Sequence, residues 1–453
     1  MPAAHSNAKP RRAADKSSSL TLLPQLTCPH CWHQFPAEDA LWIAGHSDLR
    51  GDVKLGESEM RRFLPTRFTA SGDAIDVAGA TSTDTACPRC HLKIPRSLFE
   101  LPILFSSILG APGSGKSYLL TSMVWQARQL LPSEFFLRFA DADAAMNRRI
   151  NEYEEQQFLA HHPERPISLA KTEEQGDLYD RVRLEERTVN FPKPFLFRFG
   201  PGPKHRNADR AAALSRIMCL YDNAGESFLP GADESNGPVT GHLGRSEVLY
   251  FCFDPTQDPR FRRAYDGISS DPQMSTENSG QPRASVRQDS ILTEAITRTR
   301  RGASLREDQK LSGLLCVLVT KWDSWEGLLP DVSTEPPYVI TKEDGHVLYE
   351  DRIEETSDAV EELLRRTCPE LVTAAESVSE EVIFIPVSAT GTPPHRNPET
   401  GQLGIRPADI QPRWAEVPIL YAIARRTRGL VGVVSRERSG KQTANSTLNA
   451  DSV

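Results

Sequence analysis

The sequence lacks long hydrophobic runs and lacks an apolar segment after its basic N-terminus. No apolar stretch of the 453-residue chain approaches the roughly 20 residues that a membrane-spanning helix needs. The longest, around 103–109, has the length of a strand. Because no apolar segment follows the basic residues of 1–19, we expect no signal peptide. These absences predict a protein without a membrane span, located in the cytoplasm.

Basic residues are fewer than acidic ones. The chain has 53 Lys and Arg against 61 Asp and Glu, a net charge of -8. This balance argues against broad electrostatic binding to nucleic acid, although it leaves room for a local basic patch. We find no internal repeat, and the length allows two or three domains.

The distribution of apolar runs divides the chain. From about residue 99, apolar runs alternate with helical or polar segments, which predicts an α/β fold with a mostly parallel central sheet. The runs are "LPILFSSILG", "PFLFRFG", "ALSRIMCLYD", "VLYFCFD", "LLCVLVTKWD" and "VIFIPVSA". "RWAEVPILYAIARRTRG" predicts a closing helix. The predicted organisation is a disordered N-terminus (1–20), a cysteine module (21–98), an α/β domain (99–430) with inserts near 133–193 and 256–287, and a disordered tail (431–453).

A phosphate-binding pattern joins the first apolar run to a helical one. "GAPGSGKS" fits G-x-x-x-x-G-K-[ST], in which backbone N–H groups surround an anion, the lysine reaches the β- and γ-phosphates and the serine hydroxyl meets Mg²⁺. The alternative is a chance match in a glycine-rich turn. The candidate nucleotide-binding residues here are Gly110, Gly113, Ser114, Gly115, Lys116, Ser117 and Tyr118.

A second candidate element is "LYDNAGES" at the end of the third run. Asp222 would hold Mg²⁺ through water, and the Gly225 N–H would contact the γ-phosphate. An ordinary turn explains the same letters equally well. The strand-end position favours the functional interpretation, because open α/β sheets bind ligands at the carboxyl ends of their strands.

Two further strand ends suggest guanine as the base. In "VTKWD", the Asp323 carboxylate can accept from guanine N1–H and the exocyclic amine, a donor pair that adenine lacks, and Lys321 can lie along the base. The last apolar run ends in "PVSATG", which contains the candidate residues Ser388 and Ala389. The Ala389 N–H can donate to the guanine oxygen. The alternative for "TKWD" is a strand end with two solvated charges, and "SAT" alone carries little information.

Together, "GAPGSGKS", "DNAG", "TKWD" and "SAT" resemble the motifs of the translation-factor and Ras-like class of P-loop GTPases. The resemblance covers about residues 99–430 and implies a Ras-like P-loop fold. It implies that Gly110–Ser117 bind phosphate, that Asp222 and Gly225 sense Mg²⁺ and the γ-phosphate, and that Lys321 and Asp323 read guanine. The cysteine module and the inserts also resemble bacterial double-GTPase proteins, although the chain shows one complete GTPase unit.

The chain departs from that class at several positions. Thr320 stands where the class commonly has Asn, and Glu226 stands where Ras-like members have a water-orienting Gln. A carboxylate there would repel the γ-phosphate, so we expect slow hydrolysis, with Lys116, Glu226 and a switch threonine as the catalytic candidates. Thr188 is the first candidate for that threonine and Thr172 the second. The arginines of 260–263 and 298–301 could provide an arginine finger, but we prefer the interpretation that they form solvated faces or partner surfaces.

The eight cysteines include two C-P-x-C pairs. Cys28, Cys31, Cys87 and Cys90 can offer four thiolates to a structural Zn²⁺, as in a zinc ribbon, across an unusually long gap. The alternatives are a histidine ligand (His30, His33 or His91) and a redox pair. We expect a Cys87→Ser variant to lose the metal and unfold the module. The basic and aromatic residues between the pairs form either a nucleic-acid surface or, as we prefer, a small core with solvated arginines.

The combined prediction is a slow, Mg²⁺-dependent GTPase that acts as a nucleotide switch and uses its zinc module for an unidentified protein partner. Its cofactors would be GTP, Mg²⁺ and Zn²⁺. Two alternatives remain: an ATP-binding P-loop NTPase, against which "TKWD" argues, and a nucleotide-binding scaffold without turnover, which Glu226 makes plausible.

Overall fold

The structure is a computed structural model that describes residues 22–167, 169, 179–222, 241–264, 287–302, 305–306, 309–341, 345–396 and 403–435. The predictions for Thr172, Gly225 and Glu226 lie outside these residues. The same is true of the N-terminus, most of the tail and most of the second insert.

Short strands form the N-terminal region, and longer ones follow from residue 103. In chain order the described strands are β1 (Leu26–Thr27), β2 (Gln34–Phe35), β3 (Leu41–Ile43), β4 (Arg50–Asp52), β5 (Gly56–Met60), β6 (Arg62–Phe63), β7 (Ala74–Ile75), β8 (Thr81–Ser82), β9 (Thr85–Ala86), β10 (Lys93–Ile94), β11 (Ile103–Gly110), β12 (Leu137–Asp141), β13 (Tyr179–Leu184), β14 (Arg187–Pro192), β15 (Phe195–Pro201), β16 (Arg216–Asp222), β17 (Val248–Phe253), β18 (Leu311–Val319), β19 (Tyr338–Thr341), β20 (Gly345–Tyr349), β21 (Ser379–Pro386), β22 (His395–Arg396), β23 (Leu403–Gly404) and β24 (Val433–Val434).

The helices all follow the first strand of the larger region. They are α1 (Lys116–Ser133), α2 (Arg148–Phe158), α3 (Ala211–Leu214), α4 (Pro259–Ala264), α5 (Gln288–Gly302), α6 (Trp322–Trp325), α7 (Glu350–Thr367), α8 (Pro369–Val378) and α9 (Val417–Arg426). The helix expected near the end of the chain is α9. Within the described ranges, none of these helices combines the length and the apolar composition needed to cross a membrane.

A seven-stranded mixed sheet forms the centre of the larger region, in the order β12-β15-β16-β11-β17-β18-β21. All six apolar runs of the sequence lie in it. The pairs β11/β16, β11/β17, β17/β18 and β18/β21 are parallel. The pairs β15/β16 and β12/β15 are antiparallel. Four of the six pairs are thus parallel, and the two antiparallel pairs both involve β15, which runs opposite to the other six strands. The sheet is mostly parallel, as expected, but the sequence did not predict the reversed strand, because an apolar run does not encode the direction of its strand.

The first predicted insert contributes to this sheet. β12 lies inside 133–193 and forms the sheet edge, where Phe139 pairs with Phe199 of β15. The remainder of the described insert forms α2 and the antiparallel hairpin β13/β14. Part of the segment predicted to be an insert is thus a strand of the main sheet. The domain boundaries themselves stay predictions.

Both faces of the sheet are covered. On β16, Met218 and Leu220 belong to a large apolar cluster that includes residues of α1, α5, α7, α8 and α9. The alternate residues Ile217, Cys219 and Tyr221 belong to a second cluster, shared with the cysteine module and the hairpin β13/β14. Because side chains alternate along a strand, the cysteine module occupies the place that a helix layer holds elsewhere on the sheet.

Candidate functional site

The phosphate-loop pattern follows β11 and opens α1, as the sequence predicts. Gly110, Gly113 and Gly115 all have positive φ, at 153°, 70° and 87°. A Cβ at Gly110 would lie 2.5 Å from the Cys252 carbonyl oxygen, so this position cannot carry a side chain without movement of β17. The glycines are thus required by the path of the loop.

Two buried side chains line the loop. Lys116 Nζ donates to the carbonyl oxygens of Gly110 at 3.1 Å and of Ala111 at 3.0 Å, which keeps the ammonium folded over the loop. Ser114 is fully buried, and its hydroxyl has no hydrogen-bond partner among the described residues. A buried hydroxyl without a partner costs free energy, so a ligand atom that satisfies it would be favoured here.

The Mg²⁺ candidates lie at the same end of the sheet. Asp222 is the last residue of β16 and is paired in register with Ile108, two residues before Gly110. Burial raises the pKa of the Cys252 thiol to about 12; Lys116 lowers this pKa, whereas Asp222 raises it. A carboxylate and the Ser117 hydroxyl are oxygen ligands of the kind Mg²⁺ takes, so the residues present fit that ion.

The first candidate for base recognition, "VTKWD", is hydrogen-bonded to the phosphate loop. The Thr320 hydroxyl lies 3.3 Å from the Ser114 carbonyl oxygen and 3.1 Å from that of Phe253, both of which are acceptors. Thr320 is buried, and its carbonyl oxygen accepts from Trp325 Nε1 at 2.9 Å. A threonine at this position thus makes the cross-link between the two loops through its hydroxyl.

Asp323 and Ser388 meet, although 64 residues separate them in sequence. The Ser388 hydroxyl donates to the Asp323 carboxylate and accepts from the Gly391 N–H at 2.8 Å, which fixes the orientation of both side chains. Burial raises the pKa of the Asp323 carboxyl, while Ser388, Arg413 and Lys321 oppose that shift. An oriented, partly desolvated carboxylate can discriminate strongly between ligands with and without a matching donor pair.

Ala389, the neighbour of Ser388, is also anchored to the larger apolar core. Its carbonyl oxygen accepts from Ser122 of α1 at 2.7 Å, and the Ser122 hydroxyl in turn accepts from Gln157 Nε2 at 2.8 Å. The helix that begins in the phosphate loop therefore also supports the segment predicted to meet the guanine oxygen.

Asp254 was missed by the sequence reasoning. It directly follows β17 and is fully buried, and its carboxylate accepts from Lys321 Nζ at 2.7 Å. The other carboxylate oxygen accepts from the Thr256 N–H at 2.9 Å and from its hydroxyl at 2.7 Å. The signal was available, because "VLYFCFD" ends with a carboxylate at the same sheet edge as the other candidates.

Two glutamines hold the Asp254 loop in place. The Gln288 side chain accepts from the Asp254 N–H and donates to the Asp254 carbonyl oxygen, both at 2.8 Å. Gln257 Nε2 donates to the Pro112 carbonyl oxygen of the phosphate loop at 3.3 Å. The loop after β17 thus joins the phosphate loop to Lys321, which itself has a left-handed backbone with φ of 56°.

The four paired cysteines converge in a buried cluster with all sulfur atoms within 4.8 Å of one another. Cys28 Sγ lies 3.7 Å from Cys90 Sγ, and Cys31 Sγ lies 3.7 Å from Cys87 Sγ. Zn–S bonds of about 2.3 Å give tetrahedral edges of roughly 3.8 Å, whereas a disulfide needs about 2.0 Å. The donor set fits Zn²⁺ and does not fit a disulfide.

The two cysteine pairs are built alike. Each lies between two paired strands, β1/β2 and β9/β10, and the N–H of His30 or Arg89 points to a sulfur at 3.4 Å. Trp32 and His91, which follow the second cysteine of each pair, have positive φ of 56° and 63°. The long gap between the pairs holds β3, which pairs with β9, and several short hairpins.

The histidine alternatives do not join this cluster. His30 Nε2 lies 3.0 Å from the Lys93 carbonyl oxygen, and His91 Nδ1 lies 2.8 Å from Asp52. His33 stacks on Phe35 with ring centroids 6.0 Å apart. Over the part of the chain that the structure describes, these four cysteines are the group of three or more His, Cys, Asp or Glu side chains whose ligand atoms lie close enough together to hold a metal ion.

Other candidates lie elsewhere in the fold. Thr188 is exposed on β14, opposite Arg183 of the hairpin, and its role as a switch residue stays a prediction. Arg260 of α4 pairs with Asp258, Asp289 and Glu370. Arg298 of α5 pairs with Glu294 at 2.7 Å. These two arginines therefore contribute to local ion pairs.

Comparisons with known proteins show a distant likeness. No family model matches the chain, and no curated protein matches it. Among solved structures, Sup35 complexed with GDP is 13% identical over 65% of this chain and 39% of its own, with a TM-score of 0.21. The Ski7 GTPase-like domain of S. cerevisiae bound to GTP is 13% identical over 64% of this chain and 43% of its own, with a TM-score of 0.24. The chain therefore spans about two fifths of the length of these structures.

Proposed function

We propose that this chain is a guanine-nucleotide-binding protein with a Ras-like P-loop domain that hydrolyses GTP slowly in the presence of Mg²⁺. The observation that carries the proposal is the Asp323 carboxylate, oriented by Ser388 and linked through Thr320 to the phosphate loop. This arrangement supports simultaneous recognition of a base and of its phosphates. The strand order β15-β16-β11-β17-β18-β21, with one antiparallel pair at β15, supports the Ras-like assignment.

The roles follow from the positions of the residues. The backbone of Gly110–Ser117 and the Lys116 ammonium would bind the β- and γ-phosphates, and Ser117 and Asp222 would hold Mg²⁺, which neutralises phosphate charge when bound. Asp323 would accept from guanine, and Lys321, held by Asp254, would lie beside the base. In the reaction, water oxygen bonds to the γ-phosphorus as the bond to the β–γ bridging oxygen breaks.

Calorimetric titration with Mg²⁺·GTP and Mg²⁺·ATP tests the base assignment. We expect binding of GTP and little of ATP, with Asp323→Asn losing GTP because an amide N–H would face the guanine donors. Xanthine has a carbonyl where guanine has an amine, so the variant should gain affinity for Mg²⁺·XTP, which shows that it is folded. The exposed Asp331→Asn variant is the control. Equal binding of ATP, indifferent to Asp323, would refute the proposal.

Slow turnover is a separate part of the proposal and rests on the sequence, since Glu226 follows Gly225 where a water-orienting glutamine is expected. A carboxylate near the γ-phosphate would raise the barrier by repulsion. A single-turnover measurement of the purified protein tests this. Glu226→Gln should accelerate phosphate release, and a fast wild-type rate would contradict the expectation. Absence of turnover in both proteins would instead identify a nucleotide-binding scaffold.

We also propose that the four cysteines bind a structural Zn²⁺. Four thiolates leave no open coordination position, so a catalytic role is not proposed. Recruitment of a protein partner by this module, and a cytoplasmic location, stay predictions from the sequence. Nucleic acid is a less favoured partner, because the chain is acidic overall.

A further inference from the structure

The phenol of Tyr221 connects the metal cluster to the nucleotide site. Tyr221 is fully buried near the end of β16, directly before the Mg²⁺ candidate Asp222. Its hydroxyl donates to the Pro29 carbonyl oxygen at 2.5 Å and accepts from Trp32 Nε1 at 3.0 Å. Pro29 lies between Cys28 and Cys31, and Trp32 directly follows Cys31. The hydroxyl therefore makes two hydrogen bonds to the cysteine module.

Trp32 extends this connection into an aromatic cluster. Its ring stacks on His242 with centroids 6.1 Å apart and meets Phe191 edge-on at 6.0 Å. Tyr221 and His242 lie 4.6 Å apart. The left-handed backbone of Trp32, with φ of 56°, directly follows a metal-binding cysteine, so the position of this indole depends on the shape of the metal turn.

Adjacent residues of a strand point to opposite faces of the sheet, so Tyr221 and Asp222 face different parts of the molecule. Tyr221 belongs to the apolar cluster of the cysteine module. Asp222 lies beside Ile108 of β11 in the sheet register, two residues before Gly110 of the phosphate loop. Since Tyr221 and Asp222 share one peptide link, a shift of the phenol within its cluster would displace the strand end and with it the carboxylate on the other face.

We propose that Tyr221 and Trp32 are positioning residues for Asp222, so that the metal centre sets the Mg²⁺ affinity of the nucleotide site. This inference rests on the proposed nucleotide-binding function. It assigns the cysteine module a role inside the molecule, as the support of one Mg²⁺ ligand. By linkage, Mg²⁺·GDP bound at the site should also slow the loss of zinc to a chelator.

The experiment measures GDP affinity in EDTA and across a Mg²⁺ titration, using wild type and Tyr221→Phe. The variant removes only the hydroxyl, so we expect it to retain zinc and to bind GDP in EDTA as wild type does. The Mg²⁺ concentration that gives half of the affinity gain should rise roughly tenfold or more, as for other residues that orient a metal ligand. A purely structural role would instead lower affinity equally in both conditions.

Tyr250→Phe is the matched control. Tyr250 is buried on β17, and its hydroxyl lies 3.4 Å from the Pro418 carbonyl oxygen. It belongs to the larger apolar cluster and not to the cluster of the cysteine module. Its Mg²⁺ titration should match wild type. If Tyr221→Phe fails to fold, Trp32→Phe removes the indole N–H that donates to the Tyr221 hydroxyl. This variant should likewise need more Mg²⁺ to reach half of the affinity gain.

The outcomes separate the two proposals. Wild-type protein that binds no nucleotide would refute the proposed function. A second result is that the wild-type protein binds GDP more tightly with Mg²⁺ while the Mg²⁺ titration of Tyr221→Phe, or of Trp32→Phe in its place, is unchanged. That result would refute this inference and leave the proposed function intact. A shifted titration together with faster zinc release in the absence of Mg²⁺·GDP would support the inference.

Discussion

At the scale of single residues, the site depends on charged side chains that neighbouring polar or charged groups hold in place. Asp323 is oriented by Ser388, and Lys321 is oriented by Asp254. "TKWD" and "SAT" could be identified in the sequence because they end apolar runs. The pairing between Lys321 and Asp254 could not, because nothing in "FCFDPTQ" specifies which cation its carboxylate meets.

Replacement of Asp254 tests that pairing. In Asp254→Asn the amide oxygen can still accept from Thr256, but an N–H₂ group would face the Lys321 ammonium. Since charge-assisted hydrogen bonds contribute about 1.5–3 kcal/mol, we expect GTP affinity to fall roughly tenfold or more. Calorimetric titration of the variant in the wild-type and Lys321→Ala backgrounds provides the measurement.

A double-mutant cycle decides whether Asp254 acts through Lys321. The loss should disappear when Lys321 is already alanine, because the interaction has then been removed. Asp258→Asn, which alters a buried aspartate paired with Arg260 in the same loop, should leave GTP affinity unchanged. Equal losses from Asp254→Asn in both backgrounds would show that this carboxylate only stabilises the loop.

At the scale of elements, apolar runs were enough to find the six main strands but not their arrangement. "RIMCLYD" is apolar at nearly every position because both faces of β16 are covered, which removes the alternation that would reveal its orientation. β12 was missed because "LRFAD" is short and lies at the edge, half exposed. Local patterns report burial, whereas strand order and direction depend on contacts between distant segments.

The start of α9 provides a prediction about pH. Glu416 precedes this helix and is buried, and burial raises the pKa of its carboxyl to about 7 from the usual 4.5, although its own backbone N–H and Tyr338 oppose this. Between these values the unfolded chain loses a proton that the folded chain keeps. Stability should therefore fall as pH rises from about 4.5 to 7, by on the order of 3 kcal/mol, and stay level above.

Glu416→Gln removes this titration and keeps an oxygen that can accept from Tyr338. We expect the variant to be more stable than wild type at pH 8 and to lose that advantage near pH 5, as measured by urea unfolding at both values. Glu380→Gln, at an exposed position, is the control and should change stability little at either pH. An advantage of equal size at both pH values would contradict the assigned titration.

At the scale of the whole molecule, the cysteine module is part of the core of the larger region. Leu26, Phe35 and Leu92 of the module share one apolar cluster with Ile217 and Leu196 of the main sheet. The sequence suggested a separate zinc ribbon, because a CxxC pair predicts a metal site but carries no information about what packs on it. From the sequence we expect loss of the metal to unfold the module; because the module shares a core with the main sheet, we expect the effect to reach that sheet as well.

Removal of one metal ligand should destabilise the entire chain. In Cys87→Ala the remaining thiols cannot complete a closed site, so zinc binding weakens and the free energy that binding adds to folding is lost. Because the module covers one face of β15, β16 and β11, its loss exposes apolar side chains of the main sheet to water. Thermal unfolding followed by the circular dichroism of the described α-helices, which all lie in the larger region, should shift to lower temperature.

Cys368→Ala is the matched variant, since it removes a buried thiol that belongs to the larger cluster and lies outside the metal set. It should retain zinc and unfold closer to wild type. The decisive comparison is between zinc release and the unfolding of the larger region, measured by the circular dichroism of its helices. In wild type the two transitions should occur together. If zinc release in Cys87→Ala or in a chelator leaves the unfolding of the main sheet unchanged, the module is energetically independent, and a metal-linked Mg²⁺ site would lose its physical basis.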